Sequence, residues 1–149
     1  MTQTDDMLVT EADYPFQQHM GFRMLGWRED WSRFELPLGR RLLNRQGIPH
    51  GGVYAALLDT VMGYAGCWSG DPDNRRSAVT LSLNTSFLAR PAGTRMIAEG
   101  WRTGGGRSTF FAEARITDDE GTLVATGSAV FRYRKGPTAA QPGTEGVMP

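Results

Sequence analysis

The sequence predicts an α+β domain: a curved antiparallel sheet of five to six strands wrapped around one long buried helix. Three observations predict it. The stretch 53–68 is apolar on nearly every helical face, and a helix without a wide polar face is buried. Most of the remaining chain alternates apolar and polar residues at strand spacing, in short segments parted by glycine-bearing turns. The 149 residues fit one domain with an ordinary core and a single sheet to cover that helix.

Taken in chain order, residues 1–13 are polar and expected to be loose, 14–135 form the domain, and the Gly/Pro-rich stretch 136–149 is expected to be a loose tail. "GFRMLGWRED" and "WSRFELPLG" read as a hairpin or two short strands; in the second, Phe34, Leu36 and Leu38 alternate with Arg33 and Glu35. The helix follows, opened by Gly51 and Gly52 after Pro49. Val53, Tyr54, Ala56, Leu57, Leu58, Val61, Met62, Ala65 and Trp68 give it its apolar character. In "SAVTLSLNTSFLARP" strict alternation puts Val79, Leu81, Leu83, Thr85 and Phe87 on one face and Thr80, Ser82, Asn84 and Ser86 on the other. "GTRMIAEGWRT", "STFFAEARITDDEG" and "TLVATGSAVFRYR" are three further strands, joined by the turns "TGGGR" and "DDEG" into an expected antiparallel meander. One sheet covers one side of the helix, so covering the remaining side needs a second chain.

The totals exclude several classes of function. Sixteen basic residues balance sixteen acidic ones, which gives no electrostatic case for nucleic acid or an anionic membrane. Cys67 is the only cysteine, so neither an intrachain disulfide nor a thiolate zinc cluster can form, and a reducing cytoplasm is the expected location. His19 and His50 stand far apart, and no metal site is expected. The acidic start "MTQTDDMLVTEAD" does not read as a signal peptide. The apolar stretch at 53–68 is too short and too interrupted to span a bilayer.

The chemistry concentrates in the helix. The first N–H groups of a helix lack intrahelical partners and carry the positive end of its dipole, which suits an anion or a developing oxyanion. Glycine at Gly51 and Gly52 lets a ligand approach that backbone closely. Asp59 is the one carboxylate between Gly51 and Gly70. Burying its charge among Leu57, Leu58, Val61 and Met62 is expensive unless the carboxylate is paired or serves a reaction. Both readings are open from the residues alone. Gly51 and Asp59 are eight residues apart, about 12 Å along a helix axis, whereas a base and an oxyanion donor must meet within about 3 Å of one carbonyl. If both groups are catalytic, a second helix must run antiparallel nearby, giving two equivalent sites per dimer.

These residues resemble the hotdog-fold acyl-CoA thioesterases of the phenylacetate-degradation (PaaI-type) branch. The signature is Asn44, six residues before His50-Gly51-Gly52, and Leu57-Leu58-Asp59, with Asp59 nine residues after His50. "VTLSLNTSFLARPAG" and "GGGRSTFFAEARITDDEGTLVATGSAVFR" are similar to the family's strand after the helix and its last three strands, so the likeness covers about residues 20–134. The resemblance implies the hotdog fold and a homodimer or a dimer of dimers. It also implies hydrolysis of a small aromatic or medium-chain acyl-CoA to free acid and CoA, with no cofactor, because CoA is part of the substrate.

The resemblance also implies site roles. Asp59 would be nucleophile or general base. The Gly51 N–H would polarise the thioester carbonyl, with Asn44 and His50 orienting the carbonyl or the water. Thr80 would assist the carboxylate. "FLARP" carries one residue more than the family's "FLRP", which makes Ser82 and Ser77 competitors for that last role. Gly52, Arg107 and Arg90 would bind substrate, the arginines through CoA phosphates, with Arg75 and Arg76 as further candidates. Met62, Tyr64 and Trp68 are candidates to line an acyl pocket. Two other readings share the fold: a non-catalytic acyl-CoA binder or sensor, and a hydratase or dehydratase of hydroxyacyl thioesters. A binder has no need of a buried carboxylate, and "PHGGVYAALLD" resembles the thioesterase pattern more than the hydratase one.

Overall fold

The structure, a computed structural model, describes residues 11–136. Of the loose segments expected at 1–13 and 136–149, residues 1–10 and 137–149 lie outside the described residues. A short helix, α1 (Pro15–Met20), leads into the hairpin β1 (Arg23–Arg28) and β2 (Trp31–Pro37). One 3-10 turn, Arg40–Leu42, precedes the long helix α2 (Gly51–Cys67). Then come β3 (Ala78–Phe87), β4 (Arg95–Gly105), β5 (Thr109–Asp118) and β6 (Leu123–Tyr133). The six strands form one sheet in the order β1-β2-β4-β5-β6-β3, with every neighbour antiparallel. The expected meander is β4-β5-β6, and the expected hairpin is β1-β2. The sequence reading did not anticipate α1, because six residues are too few to show a helical period. Pro15 opens it, and Gly21 closes it in the left-handed region (φ 83°), donating its N–H to the Gln17 carbonyl at 2.8 Å.

The sheet curls around α2. Leu57, Leu58, Val61 and Met62 are fully buried against Phe34, Leu36, Met96, Ala98, Phe110 and Ile116. Full burial of each large apolar side chain contributes about 1.5–3 kcal/mol. Three side chains of the sheet also donate hydrogen bonds to helix carbonyls: Ser32 Oγ to Val61 at 2.6 Å, Trp27 Nε1 to Tyr64 at 2.7 Å and the Tyr133 hydroxyl to Gly66 at 2.6 Å. No helix among the described residues is long and apolar enough to cross a membrane.

Contact this close needs small residues on the sheet. A Cβ on Gly100 of β4 would stand 2.7 Å from the Val61 carbonyl oxygen. That oxygen belongs to helix backbone and cannot swing away. Gly100→Ala is therefore expected to lower stability by about 1–3 kcal/mol, read as a fall in the urea midpoint with an unchanged slope. An unchanged midpoint would mean that α2 does not press on β4 at this point.

β3 departs from the alternation its sequence suggests. Thr80 pairs with Phe131 and Ser82 with the adjacent Val130, so Leu81 is an extra residue at a β-bulge. A one-residue insertion exchanges the faces of a strand. Thr80 therefore shares the helix-facing side with Leu83, Thr85 and Phe87, and not the outer side with Ser82, Asn84 and Ser86. Its partner Phe131 is buried in the core. β3 is also an edge strand, and its apolar residues are open: Val79 is 47% exposed, Leu81 56% and Phe87 59%. A ten-residue edge strand with exposed apolar side chains and unpaired backbone groups is a template for another strand.

Candidate active site

Asp59 lies in the middle of α2 on the half-buried side of the helix, where Ala55, Ala56 and Gly63 also surface. Thr80, turned inward by the bulge, donates its hydroxyl to Asp59 Oδ1 at 2.7 Å. Burial raises the Asp59 pKa above its ordinary value, and the Thr80 hydrogen bond works against that rise. The carboxylate is thus a stronger base than a surface aspartate and is held in one orientation. Of the three hydroxyls considered from the sequence, Ser82 is exposed on the outer side of the bulge, while Ser77 lines the same cavity as Asp59 without bonding to it.

That cavity measures about 260 Å³. One wall is the face of α2 from Asp59 through Gly63 to Cys67, and another is the start of β3 with Ser77, Ala78 and Thr80. Tyr64 lines it, but the other two aromatic-pocket candidates do not. Met62 is fully buried in the core, and Trp68 packs edge-on against Trp27 at 5.3 Å. Cys67 also borders the cavity, yet burial pushes its thiol up to about 12, which leaves it protonated and a poor nucleophile at neutral pH.

The other end of α2 is built around its N-terminus. His50 is the N-cap: its Nδ1 accepts the Gly52 N–H at 2.8 Å, and its carbonyl accepts the Val53 N–H at 2.9 Å. An accepting Nδ1 places the ring proton on Nε2, which stays free to donate. Gly52 therefore has its N–H engaged, and a Cβ on it would stand 3.1 Å from His50 Nδ1. The Gly51 N–H has no partner among the described residues. Asn44 organises the loop leading into the helix, accepting at Oδ1 from the Gln46 and Ile48 N–H groups at 2.9 and 3.4 Å. Its side-chain amide nitrogen has no partner among the described residues. The ring of Phe87, at the end of β3, stands 3.5 Å from where a Gly51 Cβ would lie.

Asp59 and Gly51 do not meet within the chain. They sit about two helical turns apart, at about 1.5 Å per residue. β3 repeats the separation, since Thr80 touches Asp59 and Phe87 stands beside Gly51. Arg107 is exposed in the β4–β5 turn, close to the β3 end that carries Thr80, because Ser108 bonds to Tyr133 and Tyr133 pairs with Ala78. Arg90 is exposed just beyond the opposite end of β3. Its loop is tied down by Asp118, whose carboxylate accepts from the N–H groups of Ala92, Gly93, Glu120 and Thr122. Desolvation works to raise that carboxyl, but the four donors outweigh it and hold it at about 2. Arg75 donates to the Pro72 carbonyl, and the Arg76 guanidinium stacks over the Tyr133 ring at 4.2 Å. Among the described residues no three His, Cys, Asp or Glu side chains converge as metal ligands would.

Comparison with known proteins gives the same picture. Residues 46–125 match the family described as the thioesterase superfamily. A Mycobacterium tuberculosis (strain H37Rv) protein that bears a provisional esterase name is 27% identical over 114 residues, 76% of this chain and 81% of the relative. Among solved structures, a conserved protein of Pseudomonas aeruginosa superposes with a TM-score of 0.75 at 25% identity, over 82% of this chain and 95% of that one. The PaaI protein from the phenylacetic acid degradation operon of E. coli superposes with a TM-score of 0.72 at 17% identity, over 82% and 86% of the two chains. At that identity the second likeness speaks for the fold.

Proposed function

Because the chain belongs to the thioesterase superfamily, and by that membership is a thioester hydrolase with the hotdog fold, we propose that it hydrolyses acyl-CoA at a site shared between two copies. The observation that carries this reading is Asp59. It is a carboxylate of raised pKa, fixed by Thr80 at 2.7 Å and opening onto a cavity large enough for a compact acyl group. A non-catalytic binder has no need of a base held this way.

The second copy supplies what one chain lacks. Pairing two β3 edges antiparallel covers their exposed apolar residues and continues the sheet. It sets the Thr80 end of one strand against the Phe87 end of the other, so that Asp59 faces the Gly51 of a second copy. The same pairing gathers Arg107 and Arg90, which one chain holds at opposite ends of β3, toward one site mouth where CoA phosphates would lie. The reaction then runs as follows. The thioester oxygen accepts from the Gly51 N–H, with the Asn44 amide and His50 Nε2–H beside it. Asp59 takes a proton from water as the oxygen attacks the carbonyl carbon, or attacks that carbon itself to form an anhydride that water later opens. The C–S bond breaks, and the CoA thiolate leaves with the proton from Asp59 in the first route or from water in the second. The single cysteine, buried and unpaired, is in keeping with a reducing cytoplasm.

The test is thiol release from a panel of aromatic and aliphatic acyl-CoA thioesters. Turnover is expected, with an acid limb in kcat/KM above the ordinary carboxylate range, because Asp59 must be ionised to act and its pKa is raised. Removing the Thr80 hydroxyl with Thr80→Val removes an interaction that lowers that pKa, so the limb is expected to move to higher pH. A limb that stays put, or moves to lower pH, would separate the rate from Asp59.

A further inference from the structure

The cavity beside Asp59 has a wall that belongs neither to α2 nor to the sheet. Residues Glu11–Tyr14 cross the helix as a strap before α1 begins. Tyr14 pairs its hydroxyl with Thr60 Oγ1 at 3.2 Å, on the residue next to Asp59. Glu11 Oε2 accepts the Tyr64 hydroxyl at 3.2 Å, one helical turn further on. Asp13 accepts from the buried Gln17 amide at 3.0 Å, which anchors the strap to α1. Opposite the strap, Gly63 leaves a trough in the helix surface, and a Cβ there would lie 3.5 Å from the Phe131 ring. Tyr14, Gly63 and Phe131 line the same cavity as Asp59, so an acyl group that fills the cavity with its carbonyl at Asp59 lies beside all three.

We propose that the strap is the selectivity wall of the acyl site, and that the Tyr14 ring is the specificity-determining residue that admits compact acyl groups and turns away long straight ones. The inference rests on the acyl-CoA thioesterase reading. Tyr14 lies close to the reacting carboxylate: burial raises its phenol, the Thr60 bond works the other way, and the Asp59 charge raises it further. Four side-chain hydrogen bonds hold the strap, Tyr14 to Thr60, Tyr64 to Glu11, Gln17 to Asp13 and Gln18 to the Asp13 carbonyl, and its residues belong to none of the six strands, so the wall can be altered without removing a strand of the sheet.

The measurement is kcat/KM for lauroyl-CoA divided by kcat/KM for phenylacetyl-CoA. Tyr14→Ala removes the ring and is expected to raise this ratio by about tenfold or more, the scale on which one or a few methylene groups are discriminated in an apolar pocket. Gly63→Ala, which narrows the trough from the other side, is expected to lower kcat/KM for phenylacetyl-CoA relative to acetyl-CoA by about tenfold. If alanine at position 14 leaves the chain unfolded by circular dichroism, Tyr14→Leu shortens the wall while keeping apolar contact, and the same rise is expected. A folded variant at position 14 with the wild-type ratio overturns the strap as a selectivity wall. Failure of the wild-type protein to turn over any thioester overturns the hydrolase reading and this inference with it.

Discussion

Asp59→Asn is expected to lower kcat for acyl-CoA hydrolysis by about 10²–10⁴-fold, the range that a positioned acid–base group contributes. The substitution is nearly isosteric. The Thr80 hydroxyl can still donate to the side-chain oxygen that replaces Oδ1, so the local geometry holds. What is lost is the ability to accept a proton or to attack a carbonyl. The same change should leave Tm at neutral pH equal to the wild-type value or above it. Burial raises the Asp59 pKa, so the ionised carboxylate weakens the folded state once the pH exceeds its unfolded value, and an amide carries no such cost. Activity and stability should therefore move apart. Hydrolysis by purified Asp59→Asn at the wild-type rate would remove Asp59 from the chemistry.

The second large effect is expected at the far end of the helix. Gly51→Pro deletes the N–H and sets the ring Cδ where its hydrogen stood, so no donor remains at that point. Proline is well tolerated at the first helical position, and the residue before it must be extended, as His50 already is (φ −59°, ψ 139°). The Phe87 ring stands 3.5 Å from the new Cβ position, an ordinary contact. Loss of one oxyanion donor costs about 10²–10³-fold in kcat. Mixing this variant with Asp59→Asn then tests the shared site. In a mixed dimer one site combines an intact Asp59 with an intact Gly51, and the other site lacks both. Verified heterodimers should regain about half of wild-type turnover, as two-fold symmetry requires. Heterodimers as inactive as their parents would sink the cross-subunit geometry.

Much of this was readable in the residues. The all-round apolar character of 53–68 is enough to demand a wrapped helix, and one carboxylate within it draws attention to itself. The eight-residue gap between Gly51 and Asp59 by itself calls for a second chain if both act on one carbonyl, and β3 restates that gap with Thr80 and Phe87. The orientation of Thr80 was not readable, because alternation in "VTLSLNTSF" continues unbroken through the bulge. Whether Leu81 is paired or extruded depends on the partner strand, and local sequence does not record that. The strap was missed for a related reason. Residues 11–13 look like loose polar chain, and what fixes the strap is contact of Tyr14 with Thr60 and of Glu11 with Tyr64, about 50 residues away. Met62 and Tyr64 stand two residues apart on a helix that is apolar on nearly every face. The helical rotation that sends one into the core and the other to the cavity is fixed by which face the sheet covers.

The three hydrogen bonds that Ser32, Trp27 and Tyr133 direct into the carbonyls of α2 bear on when the site becomes ordered. They clamp the helix at Val61, Tyr64 and Gly66, immediately after Asp59 and along the length of the cavity. The ordering entropy of that surface is spent during folding and does not recur with each substrate that arrives. The proposed catalytic carboxylate thus stands on a helix whose position is set by folding. Adjustment to an incoming acyl group is expected to fall to the strap, whose described residues belong to no strand of the sheet.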